Sequence, residues 1–166
     1  MVAWHRFSWR RLVLTGYCRQ FRQEDARACC EIVRLNLDAD ASISPELRRT
    51  LLLRESPQLM IDRASCFHVA VFEGGFGVEA VGAVEFNEIR FLAVAPPSQR
   101  KGVGRQLLQH LESMVPPTIF RNVFAYAAPA AVGFYLACGY QAGGGHILES
   151  YGERVPTVFV FKQLRE

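Results

Sequence analysis

One segment of the 166-residue chain limits its fold more than any other. The mostly apolar run 88–94 is followed by two prolines and then by the glycine turn 102–104. After this turn, apolar residues recur at the spacing of an amphipathic helix. They are Val103, Leu107, Leu108, Leu111 and Met114. The segment therefore predicts a strand, a break, a glycine turn and a helix that starts near Gly102.

The predicted start of this helix is suited to bind an anion. The first amides of a helix have no partner within it, and the positive end of its dipole adds about 0.3–1 kcal/mol per charge. The side chains of Arg100, Lys101 and Arg105 would add positive charge. Gly102 and Gly104 would let the backbone approach a pyrophosphate closely. A plain glycine turn before a core helix would give the same local pattern.

Two well-known phosphate loops do not fit this segment. Leu107 stands where a dinucleotide fingerprint has its third glycine, and Lys101 precedes its glycine, unlike the lysine of a Walker loop. The segment instead resembles the coenzyme A motif of the GNAT superfamily of N-acetyltransferases. That motif is a strand ending in Leu-x-Val, then Gln or Arg, two residues, Gly, any residue, and Gly or Ala. Its places are filled by Leu92, Val94, Gln99, Gly102 and Gly104.

A second segment also resembles this family. Residues 131–140 are similar to its helix-and-turn pattern Ala-x-x-Phe-Tyr-x-x-x-Gly-Phe, with Tyr140 in the usual Phe position. The apolar run 158–164 is similar to its closing strand, so the resemblance extends from about residue 17 to the C-terminus. It implies a single-domain α/β (α+β) fold, in which helices flank a central mixed, mostly antiparallel β-sheet.

The resemblance further implies an enzyme that transfers an acetyl group from acetyl-CoA to a primary amine. The amine would attack directly in a ternary complex, without a covalent intermediate or a metal. The main chain of Leu92 and Val94 would pair with the pantetheine arm, and the Val94 amide would polarise the thioester carbonyl. The full set of expected cofactor-binding residues is Leu92, Ala93, Val94, Gln99, Arg100, Lys101, Gly102, Val103, Gly104, Arg105 and Phe134.

Two residues are the main catalytic candidates. An alkylammonium with a pKa near ~10.4 must lose a proton before it attacks a thioester. Glu88 lies where the histone acetyltransferase branch of the family has its catalytic Glu; Glu85, a water chain and His146 are alternatives, and either acid could be a solvated turn residue. Tyr135 lies where the family has a tyrosine that protonates the leaving sulfur. A packed helix aromatic is its alternative interpretation.

Two details of the sequence qualify this assignment. Simple strand alternation would place Glu88 on the same face as Leu92 and Val94, unless the bulge that is frequent in this family's strand intervenes. The run 127–130 lacks the cofactor-contacting Asn that many relatives carry before the second helix. A non-catalytic acyl-CoA sensor or interaction module is therefore the second functional hypothesis.

Composition excludes several other classes of protein. The formal charge of +3 and the pI of about 8.7 are modest, so duplex nucleic acid is not an expected partner. No apolar run of about 18 residues indicates a membrane span. Five cysteines without a Cys-x-x-Cys pair fit a reducing cytoplasm, and the four histidines lack metal-site spacing.

Residues 1–16 are predicted to form a basic and aromatic extension to a domain of residues 17–166. Trp4 and Trp9 alternate there with arginines, and the apolar run 12–14 is too short for a secretory signal. This extension has three interpretations. It could be a transit peptide, an arm that binds single-stranded nucleic acid, or a segment that packs on the domain or on a second copy. A homodimer contact could come from this arm or from the apolar final strand.

The remaining patterns predict the other elements and leave the acceptor open. Strands are expected at 17–22, 67–72, 80–86, 123–126 and 158–164, with helices that start near Asp25 and near Ser44. The glycines 143–145 suggest a flexible loop. Acidic residues within 38–62 could attract a cationic amine or form a solvated face. A small polyamine, an antibiotic, a lysine or a protein N-terminus all remain as acceptors.

Overall fold

The computed structural model describes residues 15–164, and this part of the chain forms seven strands and five α-helices. The strands are β1 (Gly16–Gln20), β2 (His68–Gly74), β3 (Gly77–Glu85), β4 (Glu88–Val94), β5 (Asn122–Ala127), β6 (Gln141–Ser150) and β7 (Glu153–Gln163). The helices are α1 (Ala26–Ala39), α2 (Pro45–Arg54), α3 (Pro57–Cys66), α4 (Val103–Ser113) and α5 (Val132–Ala137).

The strands form one sheet in the order β1-β2-β3-β4-β5-β7-β6. Neighbouring strands are antiparallel except β4 and β5, which are parallel and are joined by a crossover through α4. This mixed, mostly antiparallel sheet with flanking helices confirms the predicted fold class.

The parallel pair β4–β5 is joined at a single register position, Glu88 opposite Phe124. Beside it, the Phe124 amide donates to the Asn87 carbonyl at 3.0 Å. Beyond this point no ladder pairing joins the two strands in the part of the chain that the structure describes. The strands therefore diverge toward their C-terminal ends and leave a gap through the sheet.

Two hydrophobic cores lie on opposite faces of the sheet. On the face that we call the α4 face, the buried side chains of α4 and Tyr135 pack against strands on both sides of the gap. On the other face, which we call the α1 face, α1 and α3 cover β2, β3 and β4, and that core contains no residue of β5, β6 or β7. The alternation of apolar residues along each strand supplies both cores.

A bulge in β4 changes which residues share a face. The register of β3 with β4 shifts between Ala83–Phe91 and Val84–Ile89, so Arg90 is the extra residue. Ile89 and Leu92 consequently pack on the same α4 face, although they are three residues apart. The expectation from simple alternation is therefore wrong, because Glu88 lies on the α1 face and Leu92 and Val94 lie on the α4 face.

The hairpin of β6 and β7 extends beyond the end of β5. The pairing of β5 with β7 ends at Ala127–Val158, whereas β6 and β7 stay paired to Ser150–Glu153. The expectation of a flexible loop at residues 143–145 is wrong, because these glycines belong to β6. The hairpin also makes β7 an interior strand, so the final strand offers no free edge for a homodimer.

The tip of this hairpin reaches α2. The Ser44 hydroxyl, which also caps α2 by accepting from the Leu47 amide, donates to Glu153 Oε2 at 2.5 Å. The guanidinium of Arg54 lies over the ring of Tyr151, 4.6 Å from its centroid. These two contacts tie the hairpin to the helices of the α1 face.

The remaining elements agree with the sequence, with different bounds. The strand expected at 17–22 is β1, and its residue Arg19 is bound by both carboxylate oxygens of Asp25. Asp25 precedes α1 as predicted, but its side chain makes this ion pair and no cap bond to α1. The unclear region 38–62 holds α2 and most of α3, and the extension up to residue 14 lies outside the described residues.

Candidate active site

The edge of β4 that faces the gap offers main-chain hydrogen-bonding groups. Ala95 donates to the Glu79 carbonyl at 2.8 Å and so lies opposite Glu79 in a hydrogen-bonded pair. In an antiparallel ladder such pairs alternate, so the pairs of Leu92 and Val94 with β3 are the non-hydrogen-bonded ones. Their amide and carbonyl groups therefore point away from β3 and into the gap.

The turn after β4 brings the start of α4 to the mouth of this gap. Gly102 precedes the helix with φ 90°, a left-handed conformation that favours glycine, and Arg100 adopts φ 58°. Helical hydrogen bonding in α4 begins with the bond from the Gln106 amide to the Gly102 carbonyl at 3.1 Å. The amides of residues 102–105 are the donors that a helix leaves without an internal partner.

Gly104 allows α4 to pack closely against its neighbours. A Cβ atom at this position would lie 3.3 Å from the Phe134 ring and 3.3 Å from a Val94 methyl group. Phe134 thus lies against the first turn of α4, which joins the two motifs in space. The glycine that the sequence pattern requires is needed here for backbone approach as well as for anion binding.

The carbonyl of Val94 is held by two side chains. Gln99 donates to it through Nε2 at 3.0 Å, and Asn36 of α1 donates through Nδ2 at 3.1 Å. The Val94 amide remains the group that faces the gap. The sequence pattern contains Gln99 but gives no signal for Asn36, which lies 58 residues away along the chain.

The three predicted cations have different surroundings. The side chains of Arg100 and Lys101 are exposed beside the start of α4. Arg105 donates to the Ala137 carbonyl at 2.8 Å and so caps the C-terminal end of α5. Part of the hydrogen-bonding capacity of Arg105 is therefore used within the protein, and Arg100 and Lys101 are the freer cations.

These features fit coenzyme A. The unpaired amides of α4 and two cations suit a pyrophosphate, and the free edge of β4 suits an extended arm that carries amide groups. Because Gly104 has no side chain, the start of α4 can lie next to the end of β4. Val103 contributes its amide here, while its side chain is buried in the core of the α4 face.

Tyr135 lies in the core of the α4 face and is 6% exposed. Its ring packs against Phe134 and Tyr140, with centroids 5.3 and 5.1 Å apart. Burial is the main cause that raises the pKa of Tyr135 above that of an ordinary phenol, and the nearby Cys138 adds to it. The side chain therefore stays protonated at neutral pH and can act as a donor.

Glu88 lies at the closed end of the gap. Its carboxylate accepts from Arg90 Nη1 at 2.9 Å, and Glu85 lies 3.7 Å from Nε of the same guanidinium. Val94 is six positions beyond Glu88, which is about 20 Å along an extended strand. The structure thus does not bring Glu88 next to the predicted cofactor residues.

Aromatic side chains cover the α1 face of β5 and β7. Phe124 and Tyr126 point there, because Val123, Ala125 and Ala127 occupy the core of the opposite face. Phe159 lies 5.6 Å from Phe124 and 5.7 Å from Tyr126, between ring centroids. His146 of β6 lies 4.7 Å from the Tyr126 ring.

We call the group Phe124, Tyr126, Phe159 and His146 the aromatic floor. The sequence pattern predicts only strands at these positions and does not indicate the floor. The sequence feature that could indicate the aromatic floor is the alternation of Val158 and Val160 with Phe159 and Phe161 in the last strand.

Two of the acidic residues between 38 and 62 are engaged by other side chains of the protein. Glu55 is buried and bound by both terminal nitrogens of Arg63, while Asp62 accepts from Gln58. A cavity of about 280 Å³ beside α2 is lined by arginines and apolar residues. They are Arg34, Pro45, Arg48, Arg49, Leu52 and Leu53.

Comparison with known families agrees with this geometry. The family model described as acetyltransferase (GNAT) domain matches residues 63–142, which include β3, the gap strand β4 and the start of α4. Residues 63–142, just under half of the chain, are thus similar to a GNAT acetyltransferase domain. This match agrees with the acyltransferase that the sequence predicts. No curated protein sequence matches the chain.

Solved structures that share this fold cover nearly the whole chain. A GCN5-related N-acetyltransferase from Rhodopseudomonas palustris has a TM-score of 0.81 at 19% identity, covering 92% of this chain and 99% of its own. The structure of yncA from Salmonella typhimurium with its cofactor acetyl-CoA has a TM-score of 0.69 at 18% identity, with coverage of 92% and 95%.

A third structure is that of a GNAT superfamily phosphinothricin acetyltransferase from Sinorhizobium meliloti in complex with acetyl-CoA. Its TM-score is 0.67 at 18% identity, and it covers 91% of this chain and 89% of its own. At such identities the likeness establishes the fold. Within residues 15–164, no helix is long and apolar enough to cross a membrane.

Proposed function

We propose that this GNAT domain transfers an acetyl group from acetyl-CoA to the nitrogen of a primary amine. The observation that carries the proposal is the gap between β4 and β5, which opens to both faces of the sheet. On the α4 face it meets the start of α4 with Gly102 and Gly104, and on the α1 face it meets the aromatic floor. Two substrates entering from opposite faces would meet inside the sheet.

The main chain would hold the reacting group. When bound, acetyl-CoA supplies the acetyl group as a thioester. The amides and carbonyls at the free edge of β4 would hold the arm of the cofactor, and the Val94 amide would donate to the carbonyl oxygen on which negative charge develops. A new C–N bond forms as the C–S bond breaks, so this chain needs no covalent intermediate.

Two protons must be moved by side chains or water. Tyr135 would donate a proton to the leaving thiolate, since burial keeps its phenol protonated. The proton that the attacking ammonium loses would pass to Glu88 through water, because about 20 Å of strand separates Glu88 from Val94. Glu85 shares the guanidinium of Arg90 and is the alternative acceptor.

Calorimetric titration with acetyl-CoA, combined with a free-thiol assay over a panel of primary amines, tests the proposal. We expect saturable binding at one site and release of coenzyme A thiol with at least one class of amine. Binding without thiol release would favour the acyl-CoA sensor. Absence of binding would overturn the cofactor assignment and with it the proposed function.

The location and assembly of the protein are also proposals. We propose a cytoplasmic protein, because the five cysteines, all at described positions, are free thiols. Since β7 is an interior strand, the exposed edge strand β6 is the better candidate for a homodimer contact. Size-exclusion chromatography with light scattering would detect such a dimer.

A further inference from the structure

The aromatic floor lies where an acceptor would enter the gap. Glu88 and Phe124 are register partners in parallel strands, and both point to the α1 face. The floor therefore begins beside the closed end of the gap and continues through Tyr126 and Phe159 toward the end at which β4 and β5 diverge. Among the described residues, the core of the α1 face does not extend over β5 and β7.

The floor is bounded on two sides. α1 packs on β3 and β4 at one side. At the other side, the β6–β7 hairpin projects past β5 and is tied to α2 through Ser44–Glu153 and Arg54–Tyr151. The half-buried rings of Phe124, Tyr126 and Phe159, with the exposed His146 beside them, thus form the base of a compartment on the α1 face, and the gap in the sheet opens at its edge.

The charges around this compartment do not suit a polycation. Glu88 is paired with Arg90 at 2.9 Å, whereas Glu153 at the hairpin tip accepts from the neutral Ser44 hydroxyl and keeps its charge. A polyamine or a lysine-rich peptide would require several carboxylates that are not paired with a cation. Flat rings, in contrast, stack on Phe, Tyr and His side chains with centroids 4.5–7 Å apart, and each such pair adds about 0.5–1.5 kcal/mol.

We propose that the acceptor is a small primary amine that carries an aromatic ring, and that the ring stacks on the aromatic floor while the amino group points into the gap. This inference rests on the proposed function, because it names the class of amine that receives the acetyl group. It gives Phe159 and Tyr126 a role in specificity, separate from the cofactor contacts of β4 and α4.

The test compares 2-phenylethylamine with 2-cyclohexylethylamine, which has the same chain length and a non-aromatic ring. Binding of each amine to the protein saturated with coenzyme A is measured by calorimetry, and turnover with acetyl-CoA by thiol release. We expect the aromatic amine to bind about tenfold more tightly and to have a correspondingly lower KM. Spermidine and a lysine-containing peptide are included as competing acceptors.

Phe159→Leu should remove the preference for the aromatic amine, since leucine keeps an apolar residue in β7 without a ring. The affinity for acetyl-CoA should be unchanged. Phe76→Leu is the matched control, because Phe76 lies at the β2–β3 turn and is 99% exposed. Circular dichroism and thermal melting of both variants verify that the fold is retained.

The outcomes separate this inference from the proposed function. Equal affinity for the two amines, or a better response to spermidine or the peptide, would overturn the aromatic acceptor. A preference that survives in Phe159→Leu would also overturn it. Tight, selective binding of 2-phenylethylamine without thiol release would support the floor and contradict acetyl transfer.

Discussion

At the scale of single residues, Tyr135 has a proposed catalytic role and also a structural role in the core of the α4 face. Its ring packs between Phe134 and Tyr140, and only its hydroxyl is available for chemistry. Burial raises its pKa, which keeps the phenol protonated but makes it a weaker acid. We therefore expect Tyr135 to act mainly by donating a hydrogen bond to the leaving thiolate.

Replacing Tyr135 with phenylalanine should lower kcat about 10²-fold, the lower end for loss of a general acid. The ring packing is preserved, so acetyl-CoA affinity and thermal stability should change little. Because the raised pKa lies above the working range, the wild-type protein should not lose activity through Tyr135 ionisation between pH 6 and about 10. Steady-state kinetics over this pH range measures both effects.

Tyr17→Phe is the control for this prediction, since Tyr17 is an exposed tyrosine on the edge strand β1. A Tyr135→Phe variant with the same kcat as the Tyr17→Phe variant would contradict a proton-donating role. Activity lost together with thermal stability would show a structural role instead.

Residues whose role depends on backbone chemistry were predictable from the sequence. Gly102, Gly104 and Gln99 stand at fixed distances from β4, and the structure gives each a contact or a conformation that explains its identity. Asn36 was not predictable, because its contact with the Val94 carbonyl depends on how α1 packs over β4. Likewise, no local pattern indicates that Arg105 binds the carbonyl of Ala137.

At the scale of elements, the junction of β4, α4 and α5 depends on the absence of a side chain at Gly104. A valine there would place its methyl groups against Phe134 and Val94, which already lie 3.3 Å from the position of a Cβ atom. Overpacking of this kind costs about 1–3 kcal/mol of stability. The helix start would move away from the strand end.

Gly104→Val should therefore weaken acetyl-CoA binding by about tenfold or more, as a displaced helix start loses amide contacts with the pyrophosphate. Calorimetry gives the Kd, and urea unfolding gives the loss of stability. Gly133→Val in α5 is the matched control, since a Cβ at Gly133 has no neighbour within 4 Å. Wild-type affinity in Gly104→Val would show that this close packing does not position the site.

The strands and helices differ in how clearly the sequence predicts them. β4 and α4 were predicted within a residue or two because apolar periodicity and the glycine turn agree there. The bulge at Arg90 and the length of the β6–β7 hairpin were not predictable in this way. Both depend on how a strand pairs with the next strand along the chain, which the apolar pattern does not specify. Glycines are typical of loops, yet Gly144 and Gly145 pair with β7 and Gly143 lies at an irregularity of this pairing.

At the scale of the whole molecule, a buried ion pair fixes the first strand to the first helix. Arg19 binds Asp25 through both terminal nitrogens at 2.7 and 2.9 Å, and their side chains are 12% and 6% exposed. Arg19 also contacts Glu73 on the neighbouring strand β2. The hydrogen bonds from Arg19 are the main cause that lowers the pKa of Asp25.

Asp25→Asn should destabilise the protein by about 3 kcal/mol, because it leaves the buried guanidinium without its main partner. A lowered folded-state pKa means that this contribution is present above the unfolded value near ~3.9 and is lost as pH falls through the folded value. The difference from wild type should thus be constant between pH 5 and 8, and should shrink below about pH 4.

Urea unfolding at several pH values measures this dependence. Glu24→Gln is the control: Glu24 is adjacent in sequence, largely exposed, and 3.7 Å from Arg22, so its removal should change little. A small effect of Asp25→Asn at pH 7, similar to that of the control, would mean that Glu73 alone compensates Arg19.

The overall fold was accessible from sequence because two motifs and a final strand together specify one arrangement of helices around a sheet. The proposed aromatic acceptor was not predictable, since the aromatic floor is assembled from side chains of three separate strands. Each strand alone shows only an ordinary alternation of apolar side chains.

The divergence of β4 and β5 also has a mechanical consequence. With one ladder position between them, the two halves of the sheet also share the core of the α4 face, in which leucines 107, 108 and 111 lie in one cluster with Val123 and Val160. Apolar side chains therefore connect the halves where backbone hydrogen bonds are absent. The width of the gap consequently depends on side-chain volume in this core as well as on the spacing of backbone hydrogen bonds.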